Sequence, residues 1–292
     1  MHRSGFVRKG IALGSAFAAS MLLTVGHLWA DGQYALSNQW EKARERLQLL
    51  EDYSNPYTFQ QLEQASIQKG WTCLDAGAGL GGVTRWLSDK VGPDGQVDAL
   101  DMETVFLEEI DKPNVHILKK NLVTDPLPEA KYDFIFARDV LMHIPEREEV
   151  VHSLAGALKP GGILMVEDIA ILPYGVPYQR LTDDAVLNTT MQNLISTLEE
   201  YGHLSFHSGY KNIFYFEDAG LVDANAHSFS PFARGQSSEA KMRHLSLLQL
   251  TPVFLKHGYN AETVEQVRQH FLNENARFWG FVRVITTGRK PL

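Results

Sequence analysis

The sequence predicts an α/β fold built on a doubly wound, largely parallel sheet. Short apolar runs alternate with helical patterns about 20 to 30 residues apart, and this alternation is typical of such sheets. The first run, Trp71–Asp75, leads into a glycine-rich turn, Gly77–Gly82, and a helix is predicted directly after it over Val83–Lys90. A strand, a glycine turn and a helix in that order indicate a place where the backbone approaches a ligand closely.

The other predicted elements continue this alternation. Strands are predicted over Gln96–Asp101, Val115–Lys119, Tyr132–Ala137, Ile163–Glu167, Leu221–Ser228 and Phe278–Thr287. Helices are predicted over Glu103–Ile110, Glu146–Leu158, Thr182–Tyr201, Asn212–Ala219, Ser237–His257 (kinked or split at Pro252) and Ala261–Asn275, with a turn at Lys159–Gly162. Before the first strand, a helix begins at Asn38, Asn55-Pro56 breaks it, and a second short helix covers Thr58–Ile67.

The composition limits the classes of partner. The 292 residues include 35 acidic and 27 basic side chains, a formal net charge of −8, and 44% of the residues are hydrophobic. Such an acidic chain argues against a nucleic-acid partner, which would need a basic surface. The lone cysteine, Cys73, lies in an apolar run, so we predict a buried core residue rather than a reactive thiol.

The N-terminal segment 1–31 differs from the rest of the chain. Basic residues come first, and the stretch from Ile11 to Ala30 then carries no formal charge. This layout is typical of a signal peptide or a membrane anchor, although glycine, serine and threonine residues dilute the stretch. The sequence leaves open a cleaved, an anchoring or an untranslated segment, since Met21 offers an alternative start.

The glycine turn has two candidate ligands. Its sequence, Gly77-Ala78-Gly79-Leu80-Gly81-Gly82, matches the dinucleotide pattern G-x-G-x-x-G, and Asp101 ends the next strand, where an acid accepts hydrogen bonds from the ribose of an adenosine. Asp75, two residues before the first glycine, would repel a pyrophosphate. The same carboxylate would attract the ammonium and sulfonium groups of S-adenosylmethionine.

Motifs in the first two thirds of the chain extend this interpretation. They are "CLDAGAGLGGVTRWL" (73–87), "VDALDMETVFLE" (97–108), "KYDFIFARDVLMHIP" (131–145) and "LKPGGILMVEDI" (158–169). In this order and at these separations, the chain from about Tyr34 to Glu167 resembles the small-molecule branch of the class I S-adenosylmethionine-dependent methyltransferases. The resemblance implies a Rossmann-like seven-stranded sheet of order 3-2-1-4-5-7-6 with strand 7 antiparallel, an N-terminal helical cap, and an insertion between strands 5 and 6.

The resemblance also implies roles for individual residues in binding S-adenosylmethionine. The methionine end of the cofactor would lie against Asp75, Gly77, Gly79 and Arg138. Asp101 would hold the ribose, and Met102 would pack on the adenine. Where the family often has an acid that recognises the adenine amino group, this chain has Asn121 and Leu122, so either the Asn121 side chain or the Leu122 backbone would serve.

The pattern of elements and the resemblance together predict how the chain is organised. The predicted segments are a signal-like or membrane-associating region 1–31, an N-terminal helical cap 32–70, an S-adenosylmethionine-binding core 71–168, a substrate-pocket insertion 169–220, and residues 221–292, whose strands and helices complete the fold.

Candidate catalytic and acceptor-binding residues lie outside the glycine turn. His143, after the fourth strand, and His207, in the insertion, are candidate general bases, which methyl transfer needs only when the acceptor atom is protonated. Aromatic residues of the cap and insertion are candidate substrate contacts: Tyr34, Tyr174, Tyr178 and Tyr210. No metal site is predicted, because His203 and His207 follow the helix breaker Gly202 and no HExxH pattern is present.

The predicted function is transfer of a methyl group from S-adenosylmethionine to a small-molecule acceptor, of secondary-metabolite or lipid-like character, by in-line displacement. The alternatives are a nicotinamide-dependent oxidoreductase and a non-methylating protein that retains the cofactor fold. Because S-adenosylmethionine is made and held in the cytoplasm, we predict a cytoplasmic protein in which residues 1–31 are either a membrane-associating tail or not translated. The sequence leaves a homodimer open.

Overall fold

The computed structural model describes residues 35–171 and 184–292 of the chain. The described strands are β1 (Thr72–Ala76), β2 (Gln96–Asp101), β3 (Val115–Lys119), β4 (Tyr132–Arg138), β5 (Leu158–Ala170), β6 (Val222–Phe229), β7 (Phe232–Arg234), β8 (Arg277–Trp279) and β9 (Val282–Arg289). The described helices are α1 (Ala43–Gln64), α2 (Gly82–Val91), α3 (Arg147–Ala157), α4 (Ala185–Glu200), α5 (Ser208–Asp218), α6 (Ser238–Lys256) and α7 (Ala261–His270).

The main sheet has seven strands in the order β3-β2-β1-β4-β5-β9-β6. Strands β1 to β5 pair in parallel, and β9 runs antiparallel between β5 and β6. This arrangement confirms the predicted fold class and strand order, because β9 is the strand predicted as the seventh. The short strands β7 and β8 form a separate antiparallel ribbon. The carboxyl ends of β1, β2, β4 and β5 therefore lie along one edge of the sheet.

The sheet is buried on both faces because its central strands are apolar at nearly every position. Phe134 and Ile135 are neighbours in β4 and fully buried, yet they pack into different layers. Ile135 packs with residues of α3 and α5, and Phe134 packs with residues of α1 and α2. Cys73 is buried in the second layer, as predicted. A further apolar cluster joins α4, α6 and α7 to Ile169 at the carboxyl end of β5.

The predicted break at Asn55-Pro56 is wrong: α1 continues through Pro56 to Gln64. Proline removes one backbone donor from a helix, and two hydroxyls form hydrogen bonds around it. Ser54 Oγ donates to the Leu50 carbonyl at 2.6 Å, and Thr58 Oγ1 donates to Glu167 Oε2 at 2.7 Å. Leu62 is buried beyond the proline, so tertiary packing holds the second half of the helix in place.

Two predictions in the second and fifth strand units are also wrong. The helix predicted over Glu103–Ile110 is a single 3-10 turn at Leu107–Glu109. Both the backbone amide and the side-chain carboxylate of Glu103 are bound outside a helix. Its amide donates to Asp101 Oδ1 at 2.9 Å, and its carboxylate accepts from Ser37 Oγ at 2.6 Å. The predicted turn at 159–162 lies within β5, where the register with β4 shifts between Tyr132 and Phe134.

Near the C-terminus, the effects of Pro252 and Gly280 differ from those predicted. Helix α6 is continuous through Pro252, which therefore does not split it. Helix α7 ends at His270, and the predicted last strand is divided into β8 and β9 at Gly280. The Gly280 amide donates to the Pro231 carbonyl at 2.6 Å, so the chain is bound to β7 before it enters the main sheet.

Among the residues that the structure describes, no helix is long and apolar enough to cross a membrane. The predicted membrane-associating segment 1–31 lies outside the described residues, as does the part of the insertion from 172 to 183. The predicted division of the chain into segments stays a prediction.

A buried carboxylate joins β2 to β4 across β1, and its hydrogen bonds predict a measurable stability effect. Tyr132 Oη donates to Asp98 Oδ2 at 2.8 Å, and both side chains are buried. We expect Tyr132→Phe to lower the free energy of unfolding by about 1.5–3 kcal/mol, because it removes a hydrogen bond to a charged group. Chemical denaturation measures the loss. In the control Tyr57→Phe, whose ring is 40% exposed, the change should stay within about 0.5 kcal/mol; equal effects of the two variants would contradict the prediction.

Candidate functional site

The glycine loop after β1 is held against the end of β2. The amides of Gly77 and Ala78 both donate to the Leu100 carbonyl, at 2.7 and 3.0 Å. Gly77 has φ +75°, and a Cβ there would lie 2.2 Å from Val140 Cγ2, so only glycine fits. Gly79 has φ +57°, but a Cβ there would meet no atom closer than 4.0 Å. The loop is therefore packed tightly below Gly77 and leaves open space above Gly79.

Asp101 lies beside this loop, as the sequence predicts. Its Oδ2 accepts a hydrogen bond from the Gly79 amide and its Oδ1 accepts one from the Glu103 amide, each at 2.9 Å. Burial raises the pKa of Asp101, and these backbone hydrogen bonds oppose that shift. A carboxylate has about four lone-pair positions. Asp101 therefore retains acceptor capacity for a ligand hydroxyl while it fixes the loop.

Asp75 lies at the end of β1, below the loop. Its Oδ2 accepts a hydrogen bond from Thr84 Oγ1 at 2.6 Å, which ties the strand to α2. Burial raises the pKa of Asp75 to about 6, whereas the Thr84 hydrogen bond and the charge of Arg138 act in the opposite direction. Asp75 is therefore mainly ionised at neutral pH and adds negative charge to a poorly solvated position.

A third carboxylate, that of Glu51, is a site feature that sequence reasoning missed. It belongs to α1, and its Oε1 accepts a hydrogen bond from the Gly82 amide at 2.8 Å, at the first residue of α2. A Cβ on Gly82 would lie 2.5 Å from Glu51 Oε2. In dinucleotide-binding folds this helix N-terminus binds the pyrophosphate. Here a carboxylate of the chain itself binds the helix N-terminus.

The other predicted cofactor residues lie around the same edge, and their roles stay predictions. Met102 is 46% exposed, so it is not a core residue. Asn121 Oδ1 accepts a hydrogen bond from the Val123 amide at 2.9 Å, which holds the side chain against a local turn. Leu122 is buried beside it.

Arg138 is bound to α1, the helix of the predicted N-terminal cap, called the cap helix below. Its Nη1 donates to Asn55 Oδ1 at 2.8 Å and to Thr58 Oγ1 at 2.9 Å. The guanidinium thus joins the end of β4 to α1, and its charge acts on Asp75. Its predicted place beside the methionine moiety stays a prediction.

A buried ionic cluster, also missed from the sequence, lies behind the ends of β4 and β5. Arg283, in β9, donates from Nε to Glu167, from Nη2 to both oxygens of Asp139 at 2.9 and 3.0 Å, and from Nη1 to Tyr53 Oη at 3.1 Å. Asp139 directly follows β4 with φ +54°, a conformation that is uncommon outside glycine. The only signal in the sequence was one arginine inside an otherwise apolar strand pattern.

Asp168 is a second buried acid at the end of β5. Its Oδ2 accepts hydrogen bonds from Ser208 Oγ at 2.8 Å and from Asn212 Nδ2 at 3.2 Å. Its Oδ1 has no hydrogen-bond partner in the part of the chain that the structure describes. Burial, together with the charge of Asp139, raises the pKa of Asp168 to about 7.

The two histidines predicted as bases differ in their surroundings. His143 ends the 3-10 turn Leu141–His143, where burial and then the charge of Arg46 lower its pKa to about 3. It is therefore neutral at pH 7 and a weak base. His207 precedes α5, is partly exposed, and has Nε2 3.5 Å from Glu199 Oε1. Catalysis by either residue stays a prediction.

Of the four tyrosines predicted to contact the substrate, only Tyr210 lies among the described residues. Tyr210 lies in α5, and burial raises the pKa of its hydroxyl, which has no hydrogen-bond partner among the described residues. The other three, Tyr34, Tyr174 and Tyr178, lie outside the described residues.

Comparison with known protein families identifies the segment that carries this loop. Residues 74–166 match a family model described as a methyltransferase domain. This segment is a class I methyltransferase domain. The family uses S-adenosylmethionine as its methyl donor. The predicted family and its cofactor are thereby confirmed.

The chain is similar to curated proteins over part of their length. Phosphoethanolamine N-methyltransferase 2 of Caenorhabditis elegans is 28% identical over 156 residues, covering 50% of this chain and 34% of that protein. Demethylmenaquinone methyltransferase of Listeria welshimeri is 28% identical over 109 residues, covering 35% of this chain and 46% of that protein. The matches therefore cover between a third and a half of these relatives.

Solved structures share the fold. A candidate methyltransferase from Bacillus halodurans C-125 aligns with a TM-score of 0.53 and 17% identity, covering 80% of this chain and 98% of that one. Phosphoethanolamine N-methyltransferase 2 of Haemonchus contortus, solved with phosphomonomethylethanolamine and S-adenosylhomocysteine, aligns with a TM-score of 0.50 and 15% identity, covering 85% and 53%. At these identities the likeness concerns the fold alone.

Two glycines, Gly70 before β1 and Gly77 in the glycine loop, distinguish the cost of backbone strain from that of a steric clash. Gly70 and Gly77 have φ +80° and +75°, but a Cβ on Gly70 would meet nothing within 4 Å. We expect Gly70→Ala to cost about 1–2 kcal/mol of unfolding free energy from the left-handed backbone alone. Gly77→Ala should cost about 1–3 kcal/mol more, because its Cβ overlaps Val140. Denaturant titration measures the unfolding free energy of both variants. Equal losses would contradict the prediction, because the overlap with Val140 would then add no cost.

Asp168 predicts a pH dependence of stability. Because its pKa is raised in the folded chain, the folded state holds a proton that the unfolded state releases near pH 3.8, so stability falls as pH rises from about 4 to about 7. In Asp168→Asn the amide cannot ionise. We expect the variant to lose less stability than the parent chain between pH values of about 5 and 8, by on the order of 2 kcal/mol. Unfolding titrations across this range provide the measurement.

The exposed variant Asp111→Asn is the control for that titration, and it should keep the pH dependence of the parent chain. If Asp168→Asn also kept the parent dependence, Asp168 would have to be ionised in the folded state, and the prediction would be wrong.

Proposed function

We propose that this methyltransferase transfers a methyl group from S-adenosylmethionine to a small-molecule acceptor by in-line displacement. The proposal rests on one observation: carboxylates surround the glycine loop, and one of them, Glu51, binds the N-terminus of α2. With Asp75 and Asp101 the loop region carries negative charge, which favours a cationic cofactor and disfavours a pyrophosphate.

The residues at this edge fit S-adenosylmethionine. The open space above Gly79 would accommodate a ligand against the backbone, and the free lone pairs of Asp101 would accept the ribose hydroxyls. Asp75 and Glu51 would act on the charged methionine end by electrostatic attraction. The exposed side chain of Met102 would cover the adenine, and either the Asn121 side chain or the Leu122 backbone would recognise its amino group. When bound, the cofactor supplies a methyl group on a positively charged sulfur.

The chain's own contribution to catalysis is positioning and exclusion of water. The cap helix α1 carries Glu51, and it is joined to the end of β4 through Asn55, Thr58 and Arg138. His143, which is neutral at pH 7, suits a hydrogen-bonding role with the acceptor better than proton removal. His207, Tyr210 and the predicted aromatic residues 34, 174 and 178 remain candidate acceptor contacts.

The nature of the acceptor is supported by the relatives. The two curated relatives are named as a phosphoethanolamine and a demethylmenaquinone methyltransferase, and these names support a small organic acceptor here. The net charge of −8 argues against nucleic acid. Since the methyl donor is made and held in the cytoplasm, we also propose a cytoplasmic location, with residues 1–31 as a membrane-associating tail.

A thermal-shift titration of the full chain tests the proposal. S-adenosylmethionine and S-adenosylhomocysteine should each raise the melting temperature, because a ligand at about 100 times its Kd stabilises by about 2.7 kcal/mol. NAD should not, because Glu51 and Asp75 repel its pyrophosphate. Asp101→Asn should weaken both shifts through loss of an acceptor for the ribose, whereas the exposed control Asp111→Asn should retain them.

The outcomes separate the alternatives. A shift with NAD alone would favour the nicotinamide-dependent oxidoreductase and overturn the proposal. Binding of S-adenosylmethionine without turnover in a screen of small amine, hydroxyl and quinol acceptors would favour a non-methylating protein that retains the cofactor fold.

A further inference from the structure

We propose that the outer face of the β7–β8 ribbon docks on an anionic lipid bilayer. Two aromatic side chains on this face, Phe232 and Trp279, are 52% and 56% exposed. They lie directly opposite each other in the register of the ribbon, with ring centroids 5.3 Å apart in an edge-to-face arrangement. Phenylalanine and tryptophan exposed together on a small rigid element are typical of a surface that meets a membrane interface.

The same face carries two arginines and gains a positive charge from them. Arg234 and Arg277 are both exposed and lie opposite each other two positions further along the ribbon, on the same face. Among the described residues, neither side chain forms an ion pair: Arg277 donates to the carbonyls of Glu274 and Ala276, and Arg234 lies 6.0 Å from the Phe232 ring. Like charges opposite each other destabilise an isolated ribbon, and an anionic surface would relieve that repulsion.

The other face of the ribbon anchors it to the protein. Ala233 and Phe278 are buried, and the Phe278 ring packs 5.2 Å from Phe271 and 5.5 Å from the guanidinium of Arg243. Both ends are closed by backbone hydrogen bonds, from Gly280 to Pro231 at 2.6 Å and from Gly235 to the Ala276 carbonyl at 3.0 Å. The aromatic and basic side chains are therefore presented from a fixed platform.

The ribbon emerges from the edge of the sheet that carries the glycine loop. Strand β7 follows the end of β6, and β8 precedes the start of β9, where Val282 pairs with Ala170 at the carboxyl end of β5. Docking through this face would turn that edge towards the bilayer, so that an acceptor dissolved in lipid could reach it. This consequence rests on the proposed function, whereas the docking itself does not.

A fluorophore on the ribbon tests the docking in the full chain. Cys73 is buried, so an environment-sensitive thiol probe will label a cysteine introduced by Phe232→Cys. Val222→Cys is the matched control, because Val222 is 46% exposed and begins β6 at the opposite edge of the sheet. With phosphatidylcholine vesicles containing phosphatidylglycerol, we expect a blue shift of the emission at 232 and none at 222. Added salt should reduce it.

A charge variant supplies the second measurement. In Arg234→Gln/Arg277→Gln, vesicle affinity should fall more than about ten-fold, because two basic residues near the anionic surface are lost. Lys69→Gln/Arg289→Gln, which removes two exposed charges at the opposite edge, should leave the affinity nearly unchanged.

Three results would overturn the docking. Vesicle binding without a shift at 232, or with equal shifts at 232 and 222, would assign the attachment to another part of the chain, such as residues 1–31. A shift at 232 that depends on protein concentration and needs no vesicles would mean that a second copy covers the ribbon. Vesicle binding is measured without a methyl donor, so it does not depend on the proposed function. The melting shift with S-adenosylmethionine should be the same in every variant, and its absence would contradict the proposed function without affecting the docking.

Discussion

The buried guanidinium of Arg283 is the interaction on which the arrangement of the site depends. It joins β9 to Glu167 of β5, to Asp139 after β4, and to Tyr53 of α1, and its side chain is almost fully buried. Removal of one partner from a buried ion pair generally costs about 3–5 kcal/mol, because the remaining charge is left unpaired. The last strand, the two strands that end beside the glycine loop, and the cap helix must therefore assemble together. The left-handed backbone of Asp139 is held within this cluster.

The cap helix has more influence on the site than its position before the core suggests. From one helix, Glu51 binds the α2 N-terminus, Tyr53 accepts from Arg283, and Thr58 donates to Glu167 at 2.7 Å. Of these three contacts, only the one from Glu51 adds negative charge at the glycine loop, beside the carboxylates of Asp75 and Asp101. Under the proposed function, this charge favours a cationic cofactor over a phosphate. The fold is shared with dinucleotide-binding proteins, and function depends on the side chains added to it.

Burial raises the pKa values of several acids at the carboxyl ends of the parallel strands. Asp75 and Asp168 have pKa values of about 6 and 7, and in both cases desolvation is the largest cause. Hydrogen bonds from Thr84 and from Ser208 oppose the shift without removing it. Such acids change protonation near neutral pH, so binding of a cationic ligand beside Asp75 would be linked to proton release. His143 is shifted in the opposite sense for the same reason, since burial disfavours its charged form.

The sequence by itself determined the parts of this protein that depend on local pattern. Alternating apolar runs predicted the sheet, and the resemblance in the motifs predicted its order. The turn around Gly77 with Asp101 predicted which edge of the sheet holds the cofactor, and that stays a prediction. Only the tertiary structure decided which side chains share that edge. Glu167 and Arg283 are 116 positions apart, and Gly82 and Glu51 are 31 apart, so no local spacing connects them. Tertiary packing also explains why α1 continues through Pro56. The burial of Thr58 and Leu62 outweighs the loss of one helical hydrogen bond at the proline.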